Sequence, residues 1–450
     1  MKPASKHLIL PVETAARELD AKLLIALHAV QRGIHVTLGN KALLNLAIHT
    51  LEPGIYVSHN FNAGRNRIIG IARQLGHRVV AWDEEGIVWL NPESYRARRV
   101  SADAVKNLDE LYVWGHEQQA ALAPALHGMA AKIKLTGNPR ADLLRPELRN
   151  LYQPRADALK QEHGDFILIN SNFGWINHAL AHGSGKNGAI DLSAIAIKSN
   201  FPLGYLQHRF AIYQEFVRFL PEIARRFAQR KIIIRPHPSE NPAGWQEAAH
   251  GLSNVMVHYD GELVPWLMSA SHIIHNGCTT AIETALLDRI AISFRPVHHA
   301  EYEIPQPHRV SLEAKDTASL MEMLATPGLT DNPPADRRAA LENMIVSATG
   351  PLSSHRIAEA VNELFEKSGS LPPLWRRLQG HATARARRLE KYFSQFNSSA
   401  ASNPAYYSHK FPPFTTQQIT QRMKILADQL NLRVPVIQEV SDRIFQIRAA

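Results

Sequence analysis

Residues 7–38 read HLILPVETAARELDAKLLIALHAVQRGIHVTL, and this stretch sets the architecture. His7–Val12 is an apolar run of strand length that stops at Glu13. Between Ala15 and Arg32, Leu19, Leu23, Ala26, Leu27 and Val30 recur on one stripe at helical spacing. Gly33 closes that helix and His35–Leu38 opens a second strand. Strand, polar turn, amphipathic helix and strand again is the rhythm of a parallel sheet with crossover helices on its faces.

The rhythm continues outward. Strands are expected at Ile55–Ser58, Arg78–Trp82, Glu110–Trp114 and Lys132–Thr136, with helical stretches between most of them. Asn138-Pro139-Arg140 interrupts the alternation, and Leu143–Lys160 turns charged and helical. A second cycle opens at Phe166–Asn170 and runs through Lys231–Ile234, Val255–His258, His272–His275 and Ile290–Phe294, with a helix over Tyr213–Gln229. Past residue 370 the character changes. Trp375–Lys391 sets six Arg and Lys residues against Glu390, Ser398–Asn403 is a polar break, and a helical pair is expected after Lys410-Phe411-Pro412-Pro413. The expected fold class is therefore α/β, with two Rossmann-like doubly wound domains facing a cleft and a helical C-terminal appendage. The expected bounds are 1–155 for the first Rossmann-like domain, 156–368 for the second and 369–450 for the basic appendage. Gly174–Tyr205 is long for a loop in a compact domain, and such loops are commonly functional.

Composition narrows the function class. With 450 residues, 45% apolar and 20% charged, the chain is globular. No window approaches the ~20 apolar residues of a membrane span, and Met1–Leu10 lacks the core and cleavage site of a signal peptide. Cys278 is the only cysteine, which rules out an internal disulfide or a cysteine zinc site and suits a reducing compartment, so a cytoplasmic location is expected. The net charge of +9 attracts nucleic acid, anionic lipid or phosphorylated substrates. Paired zinc ligands and Gly-aromatic ribonucleoprotein patterns are missing, so nucleic acid is not an expected partner. Trp375, Leu378, Leu389, Tyr392 and Phe393 interleave with arginines. That pattern fits either peripheral contact with an anionic inner membrane or a solvated helix packed on the first domain.

Ligands of open α/β sheets sit beyond the carboxyl ends of the strands, so the residues after each strand carry the candidate chemistry. Arg235-Pro236-His237-Pro238 follows one strand. Its prolines hold the turn rigid, and an Arg and a His there can donate to a phosphate. Asn276-Gly277-Cys278-Thr279-Thr280 follows another and opens a helix, which makes either an anion site or a plain capped helix start. Glu283, one turn into that helix, is a candidate partner for ribose hydroxyls, and Asn170 and Asn172 for sugar or ribose. Asp83-Glu84-Glu85 closes a first-domain strand. Crowded acids there are either a solvated turn or the source of a general base or nucleophile. Glu13, after the first strand, is a further candidate base. His298, His299 and Glu301 lack metal-pair spacing, so neither a metal nor a cofactor is expected. No P-loop, dinucleotide glycine fingerprint or nucleophile elbow stands in a suitable place.

Several of these segments in combination resemble one family. They are Leu10-Pro11-Val12-Glu13 with Glu18–Leu24, Trp82-Asp83-Glu84-Glu85-Gly86, Thr136–Leu144, the Arg235–Pro238 turn and the Asn276–Thr280 turn. Together they resemble the bacterial surface carbohydrate biosynthesis proteins, which are similar to GT-B glycosyltransferases of capsule and lipopolysaccharide assembly. The resemblance implies that His237, Pro238, Thr279 and Thr280 contact a nucleotide phosphate, by preference that of a CMP-linked ulosonic acid. It also implies a glycan or glycolipid acceptor on the first domain. Transfer of glycerol phosphate from CDP-glycerol, epimerisation of a UDP-sugar and a non-enzymatic envelope scaffold are the alternatives it leaves open.

Overall fold

The computed structural model describes residues 6–126, 128–129, 132–177, 190–199, 201–259, 261–331, 333–367, 369–394, 408 and 410–450. Two compact units result. The first comprises Met1–Ile87, Pro92–Leu151 and Glu342–Ala450, and the second Val88–Asn91 and Tyr152–Leu341. In chain order the strands are β1 (His7–Val12), β2 (His35–Asn40), β3 (Ile55–Ser58), β4 (Arg78–Ala81), β5 (Glu110–Val113) and β6 (Ile133–Leu135), then β7 (Phe166–Asn170), β8 (Lys231–Arg235), β9 (Val255–Val257), β10 (His272–His275), β11 (Ala291–Phe294) and β12 (Ser311–Ala314), and finally β13 (Val436–Ser441) and β14 (Ile444–Arg448).

The first unit's sheet has the order β13-β14-β2-β1-β3-β4-β5-β6. It is parallel except at the last hairpin, where β14 runs antiparallel to both β2 and β13. The order reverses at β1, which pairs with β2 on one side and β3 on the other. The second unit's sheet, β12-β11-β10-β7-β8-β9, is wholly parallel and reverses between β7 and β10. These reversals are the switch points beside which open α/β sheets bind ligands.

The helix Ala15–Val30 is buried at 14 of its 16 positions, including Glu18, Asp20 and Lys22. A one-sided helix was expected; here the outer face is covered as well, by the returning helices Ser353–Glu366 and Thr416–Gln429. Arg422 pairs with Asp20 at 2.8 Å to fix one of them. Asp142 fixes the other, accepting from the Ser353 and Ser354 backbone N–H groups and the Ser354 hydroxyl, each at 2.8 Å. A carboxylate on the first N–H groups of a helix satisfies donors that the helix itself cannot. Residues 342–450 thus belong to the first unit, where the sequence suggested the end of one domain and a separate appendage.

Two differences concern element type. Only one helix, Thr416–Gln429, follows the Lys410–Pro413 turn, and β13–β14 stand in place of the second. Ile444, Phe445 and Ile447 bury against the sheet edge, and a β-branched segment of that length pairs more readily than it coils. The strand β12 was not anticipated. Of the long Gly174–Tyr205 stretch, residues 178–189 and 200 lie outside the described residues, as does the Ser398–Asn403 break. Among the described residues, no helix is long and apolar enough to cross a membrane.

Asp142→Ala is expected to cost about 2 to 3 kcal/mol, since it leaves two helix-start N–H groups without acceptors. Chemical denaturation measures this, and an unchanged midpoint would remove Asp142 as the tie to the returning helix.

Candidate functional site

At the second unit's switch point, three loops are held together by buried hydrogen bonds. The loop after β7 runs Ser171-Asn172-Phe173-Gly174 and the loop after β8 runs Pro236–Asn241. Glu240, fully buried, joins them. Its carboxylate accepts from the Ser171 hydroxyl at 2.9 Å, the Phe173 N–H at 3.0 Å, the His237 N–H at 3.0 Å and the Trp245 indole at 2.9 Å. Burial raises its pKa and these donors oppose the rise. Gly174 lies against the His237 turn so closely that a side chain there would run into Ser239 Oγ. His237 is exposed. Its Nδ1 accepts from the Ser239 N–H at 3.2 Å and lies 2.7 Å from Ser239 Oγ, which places the ring proton on Nε2 as a donor.

Arg209 joins the β7 loop to the β10 loop. Its guanidinium donates to the Asn276 carbonyl at 2.8 Å and to the Asn172 carbonyl, and it lies over the Phe173 ring. The Asn276 amide also donates to the Asn172 carbonyl at 3.2 Å, while its Oδ1 is buried without a partner. Asn170 Nδ2 donates to Thr280 Oγ1 and lies 3.9 Å from Cys278 Sγ. Burial raises the Cys278 pKa, so the thiol stays protonated. The Gly277 N–H donates to Nδ1 of buried His275 at 2.9 Å.

The expected clamp therefore divides. His237, Pro238 and Thr279 stay at the accessible side of the switch point, with Asn172 and Glu283 partly exposed beside them. Asn170, Gly277 and Thr280 spend their polar groups on one another and on His275. Arg235 departs most from expectation. It is buried, donates to the Gly261 carbonyl at 2.9 Å and stacks over Trp266 at 5.0 Å from the ring centroid. A planar cation over an indole is a stable resting place, and it engages the Arg235 guanidinium with groups of its own unit. The helix that Thr280 opens has only seven residues, so its dipole adds little.

In the first unit, the switch point gathers the ends of three strands. Glu13 after β1 has Lys41 Nζ at 2.7 Å, His59 Nε2 at 3.1 Å and Lys410 Nζ at 3.3 Å; Lys41 follows β2 and His59 follows β3. Burial pushes the Glu13 pKa up, but His59 and Lys41 outweigh it and hold the carboxyl far below the usual range. Burial takes the His59 imidazole down to about 4 against the pull of Glu13, so at neutral pH a neutral ring donates to a carboxylate. Burial also lowers Lys41 to about 8, with Glu13 opposing. His59 Nδ1, Asn60 Oδ1 and Arg65 Nε are all buried without a hydrogen-bond partner, three orphans on one loop.

The three acids after β4 are engaged elsewhere. Glu84 is buried. It accepts from Lys22 Nζ at 2.7 Å, the Trp82 indole at 2.7 Å and Asn138 at 3.4 Å. Burial raises its pKa, and Lys22 with Arg140 reverses that, leaving it low. Asp83 accepts from the Tyr95 hydroxyl at 3.2 Å and the Glu85 N–H at 3.1 Å, with Arg99 at 3.5 Å; burial raises its pKa against the pull of Arg99. Glu85 pairs with Arg17 and Arg99 at the surface. Sequence reading missed Lys41 and His59, although both follow strands directly. Arg209 sits inside a helix, where no strand-end signal points to it.

No family model and no curated protein matches the chain. Among solved structures, a UDP-N-acetylglucosamine 2-epimerase superposes with a TM-score of 0.50 at 15% identity, covering 83% of this chain and 99% of its own. The UDP-GlcNAc 2-epimerase of Neisseria meningitidis gives 0.48 at 14% identity over 80% and 99%, and the wall teichoic acid polymerase TagF gives 0.48 at 9% over 81% and 90%. The fold is α/β and GT-B-like.

Lys22→Met should destabilise the first unit by roughly 3–5 kcal/mol, because Glu84 is left charged and buried, and adding Glu84→Gln should recover part of that loss. Denaturant titration of both variants decides it; equal stability of Lys22→Met and the parent would sink the pairing. His59 has a folded pKa below its ordinary 6.5, so the unfolded chain binds more protons and His59 stability is lost as pH falls from about 6.5 toward 4. The stability gap between the parent and His59→Gln should shrink from pH 7 to pH 5. A gap that is constant or widens would mean that the ring is not held neutral.

Proposed function

We propose that the chain is a GT-B-type enzyme of bacterial envelope glycan assembly that works on a nucleotide-activated substrate, and that its reaction is glycosyl transfer. The supporting observation is the second unit's switch point, where the His237 turn and Asn276 are tied to the β7 loop. Fixed donors of that kind stabilise charge on a departing phosphate without reorganising, and need no metal to do so. His237 Nε2 and the Thr279 hydroxyl are the donors we assign to the phosphate, with Asn172 and Glu283 beside the ribose or sugar. The resemblance described above favours a CMP-linked ulosonic acid as donor.

The first unit takes the acceptor, a cell-surface glycan or glycolipid, on the cytoplasmic side of the envelope. Of the candidate acids, Glu13 is the one placed at a switch point, and it is ionised. An acceptor hydroxyl displacing Lys410 from Glu13 would meet a carboxylate ready to accept its proton. Two lysines and one imidazole around one carboxylate leave a surplus of positive charge, which suits an acceptor bearing a phosphate or carboxylate.

Thermal shift with CMP, CDP and UDP tests the donor. CMP at a hundred times its Kd should stabilise the protein by about 2.7 kcal/mol. His237→Ala should weaken that response at least tenfold (on the order of 1.4 kcal/mol). Glu13→Gln should keep the response to CMP while lowering turnover by about 10²–10⁴. Stabilisation by UDP alone would point to epimerisation, turnover of CDP-glycerol to glycerol phosphate transfer, and silence toward all three would end the enzyme reading.

A further inference from the structure

The helix Leu374–Ser394 is amphipathic in the reverse sense. Side chains step by about 100° per residue around a helix. On one face Gly380 and Ala384 are buried, with Arg377, Arg387 and Lys391 half-buried beside them. This face packs on the helix Asn66–Leu75. A Cβ on Gly380 would stand 2.9 Å from that of Gln74, so the absence of a side chain lets the two helices close. Arg387 donates to the Asn45 carbonyl at 3.4 Å, and Arg67 pairs with Glu390 at 2.5 Å. On the opposite face Leu374, Trp375, Leu378, Leu389, Tyr392 and Phe393 are 57–69% exposed. A surface helix ordinarily buries its apolar stripe and wets its polar one. This one does the opposite over about 30 Å of length.

An apolar stripe of that length in water is a binding surface. Its occupant is indicated by charge. Arg376, Arg385 and Arg388 are exposed around the stripe, and Glu390, the helix's only acid, is already paired. The adjoining groove, about 950 Å³, is lined by Arg73, Arg78, Lys367 and Arg376 against Asp109. A second copy of the chain would bring like charges together. An anionic leaflet offers apolar depth for the stripe and negative headgroups for the arginines. Trp375 near one end and Tyr392 near the other have the amphipathic rings that settle at a headgroup boundary, and Phe393 beside Tyr392 adds a wholly apolar one.

We propose that Leu374–Ser394 is a peripheral membrane-docking helix. It lies parallel to an anionic leaflet with Trp375, Leu378, Leu389 and Phe393 in the acyl boundary and Arg376, Arg385 and Arg388 among the headgroups. Nucleotide binding plays no part in it, so it stands or falls separately from the transferase reading.

Co-sedimentation of the full chain with vesicles is the test. Vesicles of phosphatidylcholine with about one third phosphatidylglycerol should bind at least tenfold more tightly than phosphatidylcholine alone, and salt that shortens the Debye length from about 10 Å to 3 Å should weaken the binding. The combined variant Leu378→Ser, Leu389→Ser and Phe393→Ser should lose binding tenfold or more with an unchanged melting temperature, because all three side chains are already in water. Arg385→Glu with Arg388→Glu should abolish the preference for anionic vesicles. Equal binding to both vesicle types, or none, overturns the proposal. So does a dimer in light scattering that the serine variant dissociates while vesicles leave the chain in solution.

Discussion

A carboxylate taken out of water must be surrounded by donors, and each of the two sheets is organised around one that is. In the second unit, Glu240 draws the β7 and β8 loops onto itself and thereby sets where His237 stands. In the first, Glu84 draws Lys22, Trp82 and Asn138 together and so locks a helix, a strand end and the turn at residue 138 into one register. Neither group needs to touch a ligand. Their cost of burial is met by directional bonds, and directional bonds hold loops at fixed places in a way that apolar packing does not.

That division of labour explains why the acids crowded after β4 do not share the fate of Glu13. Glu84 is ringed by permanent, short, buried partners. Glu13 is ringed by partners of another kind: one lysine with a depressed pKa, a second lysine from a distant part of the chain, and a neutral imidazole whose far nitrogen is orphaned. The first environment is closed, while the second can exchange a member. Charge alone does not separate the two, since both carboxyls are ionised at neutral pH.

Most of the strands were legible in the sequence because each is a short apolar run bounded by polar or Gly-containing turns, and that pattern survives without knowledge of neighbours. β1, β3, β7 and β10 fall where the alternation places them. What could not be read depends on contacts far apart in the chain. The outward face of Ala15–Val30 looked solvated because the helices that cover it lie more than 300 residues later. Val436–Arg448 looked helical because its pairing partner is β2. Within the site the same limit applies. Strand-end reasoning singled out Glu13, His237 and Thr279, and its consistent use would have added Lys41 and His59, which stand within 3.1 Å of Glu13. It could not foresee that Arg235 would prefer an indole to solvent, because Trp266 is close only in space.

The pairing of β14 with β2 joins residues roughly 400 positions apart. During synthesis β2 leaves the ribosome well before β14, with the whole second unit made between them. The second unit is nearly continuous in sequence and can close its own sheet while the chain is still growing. The first unit meanwhile waits with the β2 edge and the outer face of its first long helix uncovered. A growing chain in that state presents an open strand edge to its neighbours. The step that ends this exposure is the arrival of the β13–β14 hairpin on the β2 edge, so a chain cut before that hairpin keeps an open strand edge and is aggregation-prone.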